Sequence, residues 1–286
     1  MATPDSSFAV RRTAGALMAL ALGALLFACA PARGVPESFA DIVAPLIPTV
    51  VGVAGFKAVP PGEAPAAPPG LPVPPPFEEF FEDAASAAGN EGGQAAGARR
   101  MVSLGSGVIV DPSGLIATCD HVIAEADEIA VLLDDGTPFL AHIVGRDPET
   151  DLALIEVKAA HPLPAAHFGD SGRVRVGDWV VAIGNPFGLG NTVSVGIISA
   201  RERDIGAGAY GDFLQTDAPL NRGDSGGPLF DTNGELVGIN TVIFSPSGES
   251  VGIGFAIPAA RARPVLERLG EQGGARSGGA LPLGQP

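Results

Sequence analysis

Asn221-Arg222-Gly223-Asp224-Ser225-Gly226-Gly227-Pro228-Leu229 is the stretch on which the reading of this chain turns. A serine among glycines, in a loop poor in side chains, is what covalent acyl transfer needs. The hydroxyl stands clear of bulk, and nearby backbone N–H groups can converge where an oxyanion develops. Gly223 reaches backbone conformations closed to other residues. The N–H groups of Gly223 and Ser225 are therefore the expected donors, with Asp224 a candidate third. Gly226, Gly227 and Pro228 lead back into the apolar pair Leu229-Phe230, which reads as a strand. An ordinary glycine-rich turn would look the same in isolation, so the reading rests on a histidine and a carboxylate elsewhere.

Both are present upstream. Ile116-Ala117-Thr118-Cys119-Asp120-His121-Val122-Ile123 places His121 at the end of an apolar run. Thr150-Asp151-Leu152-Ala153-Leu154-Ile155-Glu156-Val157 places Asp151 at the start of a strand-like segment. The order His, Asp, Ser is that of the chymotrypsin-type double barrel, whereas α/β-hydrolases and subtilisins use other orders. The remaining histidines are weak rivals for the base. His142 lies in a strand-like run, His161 precedes Pro162, and His167 sits in a Pro/Ala-rich loop.

These segments, together with Ser103 to Ile109, Gly184-Asn185-Pro186-Phe187-Gly188, Gln215-Thr216-Asp217-Ala218 and Gly252 to Pro258, resemble the HtrA/DegP-type trypsin-like serine proteases. The matches fall in the family's order and run from about Ser38 to Leu269. The resemblance implies an all-β fold of two six-stranded antiparallel β-barrels with short N- and C-terminal helices. It places His121 and Asp151 on the first barrel and Ser225 on the second. Ser225 would be the nucleophile, His121 the base, and Asp151 the group that orients it. Pro219, six before the nucleophile, and Leu220 would form the base of the specificity pocket, with Ile239-Asn240-Thr241 as its wall. Neither Pro219 nor Leu220 neutralises Lys or Arg, so small aliphatic side chains are the expected preference. Unfolded or misfolded proteins are the implied substrates and a homotrimer the implied assembly. A chaperone-like binder with weak or conditional proteolysis is the competing function, and a structural envelope lipoprotein, supported only by Cys29, is a third.

Two residues depart from the family pattern. Asp224 stands where relatives commonly carry Asn; in digestive trypsin-like enzymes an Asp there pairs with a newly cut N-terminus, so here it needs another partner or stays solvated. Asp120 beside His121 is also unusual, and strand alternation predicts that it faces solvent. A third departure concerns length. Relatives continue into peptide-binding PDZ modules, whereas the residues after Pro258 are fewer than the roughly 50 a domain needs, so no PDZ module is expected.

The formal charge of −15 argues against nucleic acid as a partner. Residues 1–33 read as a signal peptide: Arg11-Arg12 precede an apolar run from Ala14 to Ala28, too short for a comfortable membrane span. Leu26-Phe27-Ala28-Cys29 resembles a bacterial lipobox, making Cys29 the lipidation candidate and a membrane anchor the corollary. Ordinary cleavage near Ala30-Pro31-Ala32 is the alternative. Either route exports the chain to the periplasm or cell envelope. With Cys29 lipidated or removed, Cys119 stands alone and no internal disulfide is expected.

The protease domain is expected over residues 34–269, beginning with helix-like spacing from Ser38 to Ile47 and a first strand over 49–54. Residues 57–100 are Pro-, Ala- and Gly-rich, interrupted by Phe77-Glu78-Glu79-Phe80-Phe81, and read as a long disordered loop. Strand signals then recur between turns through Gly252–Ala256. A closing helix is expected over Ala259–Leu269, kinked or restarted by Pro264, and 270–286 reads as a flexible tail. No histidine or cysteine spacing matches a metal site, and no cofactor motif is present.

Overall fold

The computed structural model describes residues 36–58, 99–185, 190–206, 211–243 and 250–273. The chain divides into Met1–Phe39 and Ala40–Pro286, and every element named below belongs to the second unit. The signal-peptide segment, Cys29, the aromatics Phe77 to Phe81 and the end of the tail lie outside the described residues.

Twelve strands form two closed antiparallel barrels. The first is built from β1 (Val50–Ala58), β2 (Arg99–Asp111), β3 (Leu115–Cys119), β4 (Glu128–Leu132), β5 (Pro138–Asp147) and β6 (Leu152–Val157), in the order β1-β2-β3-β6-β5-β4. The second uses β7 (Trp179–Gly184), β8 (Thr192–Arg203), β9 (Phe213–Thr216), β10 (Pro228–Asp231), β11 (Leu236–Ile243) and β12 (Gly254–Pro258), in the order β10-β11-β12-β9-β8-β7. Closure leaves no free sheet edge in either barrel. The sequence expectation of two six-stranded barrels is met.

Branched apolar residues supply the cores. Val53, Ile109, Ile116 and Leu154 are fully buried in the first barrel. Val180, Ile198, Leu214, Leu229 and Val237 join one buried cluster in the second. Each such side chain contributes roughly 1.5–3 kcal/mol of burial.

The helices are short. α1 (Ala40–Val43) starts two residues after Ser38 and stops well before Ile47. Pro45 and Pro48 supply no N–H donors, so the chain turns instead through a 3₁₀ segment, Ile47–Thr49. α2 (Asp120–Ile123) is a single turn following β3. α3 (Ala259–Gln272) continues past Leu269 and runs on through Pro264. Ser171 Oγ accepts the N–H of Ala260 near its start, and Ala262, Leu266 and Leu269 are buried at helical spacing. Tertiary burial thus holds the helix where propensity alone predicts a break.

The stems of the long loop are strand. Lys57 and Ala58 pair with Arg100 and Arg99, and ion pairs of Lys57 with Glu125 and Arg99 with Glu128 hold them. Of this loop, residues 59–98 lie outside the described set.

Candidate active site

Three chain segments meet between the barrels. β3 delivers Cys119, Asp120 and His121 into α2; the turn before β6 carries Asp151; and the turn before β10 carries Ser225. Asp151 sits at φ +57°, a left-handed conformation that Asp tolerates better than most residues. That strained turn aims its carboxylate back at α2. Asp151 Oδ1 accepts the backbone N–H of His121 at 3.0 Å, and Oδ2 lies 2.8 Å from His121 Nδ1. A carboxylate only accepts, so Nδ1 carries the proton and Nε2 of the neutral ring is left as a base.

Thr241 completes this arrangement from the second barrel. It sits where the β11–β12 register slips between Asn240 and Val242, and such a bulge re-aims groups near functional sites. Its Oγ1 donates to Asp151 Oδ2 at 2.6 Å. Its carbonyl accepts from Ser225 Oγ at 2.8 Å. The serine hydroxyl is therefore engaged by Thr241.

The electrostatics follow from these contacts. The Asp151 hydrogen bond, with further attraction from Asp151 and Asp120, raises the His121 pKa above 6.5 despite burial. Burial pushes Asp151 upward, but its bonds from His121 and Thr241 outweigh that and leave it below the ordinary carboxylate range. Burial and the neighbouring Asp151 charge hold Cys119 as a thiol, with Sγ 3.4 Å from the Asn240 carbonyl. Folding does bring Cys119, His121 and Asp151 ligand atoms within 4.8 Å of one another, a grouping the sequence spacing did not foreshadow. In it Nδ1 is already committed to Asp151.

Asp120 corrects the sequence reading. It lies in the helical turn α2, not in a strand, so alternation does not apply. It is buried and paired with Arg146 of β5, whose Nε lies 2.6 Å from Oδ1 and Nη2 3.1 Å from Oδ2.

The nucleophile turn is fixed from both sides. Gly223 has φ +99°, and the N–H of Asp224 donates to the Asn221 carbonyl at 3.1 Å. Asp224 is therefore not free to be a third oxyanion donor. The N–H groups of Gly223 and Ser225 have no hydrogen-bond partner among the described residues. From the first barrel, Ser106 Oγ donates to the Gly223 carbonyl at 2.6 Å, and Ser106 N–H donates to the Ser225 carbonyl at 2.8 Å. Gly226 has φ +89°, and a Cβ there would stand 2.2 Å from the Ser106 carbonyl oxygen.

The specificity residues divide. Leu220, Asn240 and Thr241 line a cleft beside Ser225, joined by Val242 and Ile243, which the sequence reading did not single out. This cleft holds about 10 Å³, room for a single water. Pro219 lines a different, larger pocket behind the turn. Ile239 is fully buried, pairing with Pro228 and Ile257, and lines neither. His142, His161 and His167 are exposed and take no part in these contacts. Of the turn Gly184–Gly190, residues 186–189 lie outside the described set.

Two closed barrels with these side chains between them define the trypsin-like class of serine peptidase folds, and a model of the trypsin-like peptidase domain matches residues 105–239. The probable periplasmic serine endoprotease DegP-like of Bartonella henselae (strain ATCC 49882 / DSM 28221 / CCUG 30454 / Houston 1) is 46% identical over 252 residues, 83% of this chain and 49% of the relative. The protein of that name from Brucella suis biovar 1 (strain 1330) is 47% identical over 258 residues, covering 84% and 50%. Among solved structures, a variant of the HtrA-type protease AlgW with a decapeptide is 43% identical, with a TM-score of 0.67 over 82% of this chain and 68% of that one. This chain belongs to the HtrA/DegP-type serine protease family. It spans about half the length of the curated relatives it matches.

Proposed function

We propose that the chain is a serine endopeptidase acting on unfolded or damaged proteins, with His121, Asp151 and Ser225 as its triad. The observation that carries this reading is the charge-assisted His121–Asp151 pair, linked through Thr241 to a serine whose turn presents two uncommitted N–H groups. In the reaction Ser225 Oγ attacks the peptide carbonyl carbon while His121 Nε2 takes its proton. The N–H groups of Gly223 and Ser225 hold the oxyanion, and His121 returns the proton to the leaving amine. Asp151 orients the imidazole and stabilises its cation. Water then repeats the sequence on the acyl-enzyme. Resting hydrogen bonds in such sites commonly tighten only with substrate, and here Ser225 Oγ must leave the Thr241 carbonyl first.

Leu220, Val242 and Ile243 give the cleft apolar walls, which favours cleavage after small aliphatic residues. Export to the periplasm or cell envelope, acylation at Cys29 and assembly as a homotrimer belong to the same proposal. Intact-mass analysis and light scattering test the last two.

Labelling by a fluorophosphonate serine probe tests the catalytic reading. Wild-type protein should label and Ser225→Ala should not; no labelling of either, with or without an apolar peptide, overturns it. The closed cleft and the Ser225–Thr241 bond favour one second reading, a chaperone-like binder with conditional proteolysis. Equal binding of a denatured protein by wild type and Ser225→Ala, without turnover, would decide for it.

A further inference from the structure

Cys119, the last residue of β3, is a buried nucleophilic group that the proposed reaction leaves unused. Its Sγ donates weakly to the Asn240 carbonyl at 3.4 Å. The ligand atoms of Cys119, His121 and Asp151 all lie within 4.8 Å of one another. The His121 nitrogen that faces Asp151 is Nδ1, 3.0 Å from Oδ1 and 2.8 Å from Oδ2. The His121 side chain is 48% exposed, so the group opens to solvent on the imidazole side while its sulfur stays covered.

These three side chains are a matched donor set. Thiolate, imidazole and carboxylate together suit zinc, and the sulfur adds a preference for softer ions. One thiolate and one carboxylate also balance a doubly charged cation. The local field favours such an ion. Burial and the Asp151 charge hold Cys119 as a thiol, and no cation among the described residues acts on it. Metal bonds of about 2.0–2.3 Å place tetrahedral ligands roughly 3–4 Å apart. The sulfur therefore needs to close in by about 1 Å, and the His121–Asp151 pair to open by less.

We propose that Cys119, His121 and Asp151 form a binding site for a thiophilic divalent cation, zinc or softer. The S–H bond breaks, its proton passes to water, and the sulfur binds as thiolate. The Nδ1 proton also leaves while Nε2 takes one up, so the imidazole stays neutral and binds through Nδ1. An oxygen of Asp151 is the third ligand. Water or the Thr241 hydroxyl, which lies 2.6 Å from Asp151 Oδ2, completes the set. Binding thus traps the tautomer opposite to the resting one. It does not depend on the catalytic reading, but its consequence does. With Nε2 protonated the ring cannot take the proton of Ser225, so the cation switches the proposed reaction off.

The test is titration of Cd²⁺ into full-length protein carrying Cys29→Ser and Ser225→Ala, in which Cys119 is the only thiol. Thiolate-to-cadmium absorption in the ultraviolet should rise and saturate at equimolar Cd²⁺. Zn²⁺ should displace the probe, whereas Mg²⁺, which prefers oxygen ligands, should not. The His121 ring nitrogens, followed by NMR, should change to the Nε2-protonated pattern. Adding Cys119→Ser should abolish the absorption. Calorimetry should show Cd²⁺ binding weakened at least about ten-fold by Cys119→Ser and by His121→Ala. Cys119→Ala repeats the measurement should the serine variant fail to fold. Absence of the thiolate absorption, an unmoved His121 tautomer, unchanged affinity in His121→Ala, or displacement by Mg²⁺ overturns the proposal.

Discussion

The hydroxyl of Ser225 donates to the backbone carbonyl of Thr241 at 2.8 Å, while the Thr241 side chain donates to Asp151 at 2.6 Å. One bulged residue thus touches both the serine and the carboxylate. In the resting protein it holds them in opposite senses, supporting Asp151 for its role and occupying Ser225.

Removing the side-chain half of that link should slow catalysis without disturbing the backbone half. Thr241→Val keeps the shape but leaves Asp151 Oδ2 short of a donor. A hydrogen bond to a charged group contributes about 1.5–3 kcal/mol, so kcat/KM should fall about ten- to hundred-fold. Steady-state kinetics on an unfolded substrate would show this, and Thr241→Ser should restore most of the loss.

The pH profile should report the raised His121 pKa. The base must be neutral, so the acid limb of kcat/KM should have its midpoint above pH 6.5. Asp120 contributes to the rise, and Asp120→Asn should move that limb to lower pH, further still because Arg146 is left unpaired. The same shift has a stability side. A His raised in the fold adds stability that is full below its unfolded pKa and is lost as pH rises through the folded value.

Asp224 should act in the opposite direction from an ordinary paired carboxylate. Its folded pKa, about 6, exceeds the reference 3.8. The folded state therefore binds the proton more tightly, and stability falls as pH rises from about 4 to 6. The full cost above that range is about 3 kcal/mol at most. Asp224→Asn should raise the thermal midpoint at pH 8 and change it little at pH 4. Equal gains at both values would contradict the assigned cause.

Gly226→Ala should be poorly tolerated. The substitution combines a positive φ with a clash against Ser106 and Thr118 of the other barrel. Backbone strain and overpacking each cost about 1–3 kcal/mol. Urea unfolding should show a loss of at least about 2 kcal/mol.

The candidate site was legible in the sequence where the proposed chemistry demands a fixed residue type in a fixed order. Ser225 among its glycines, His121 after an apolar strand and Asp151 before another could all be found without coordinates. What escaped depends on contacts between distant segments. Asp120 was assigned to solvent by strand alternation, but the chain coils into α2 one residue early and Arg146 arrives from β5. Pro219 and Ile239 were placed by position relative to Ser225 and Thr241. The bulge at Thr241 changes which side chains reach the cleft, bringing Val242 and Ile243 to it instead. The barrel strands were legible because turns punctuate them, whereas the passage of α3 through Pro264 reflects packing that no local pattern encodes.

Ser106 joins the first barrel to the carbonyls of Gly223 and Ser225 in the second, and Thr241 reaches back to Asp151. A nascent chain therefore acquires His121 and Asp151 well before it owns a serine to serve. Neither half holds a working set, and the two halves become competent only on docking. On the proposed catalytic reading, assembly itself is the safety catch: a chain cleaves nothing until both barrels are built and docked.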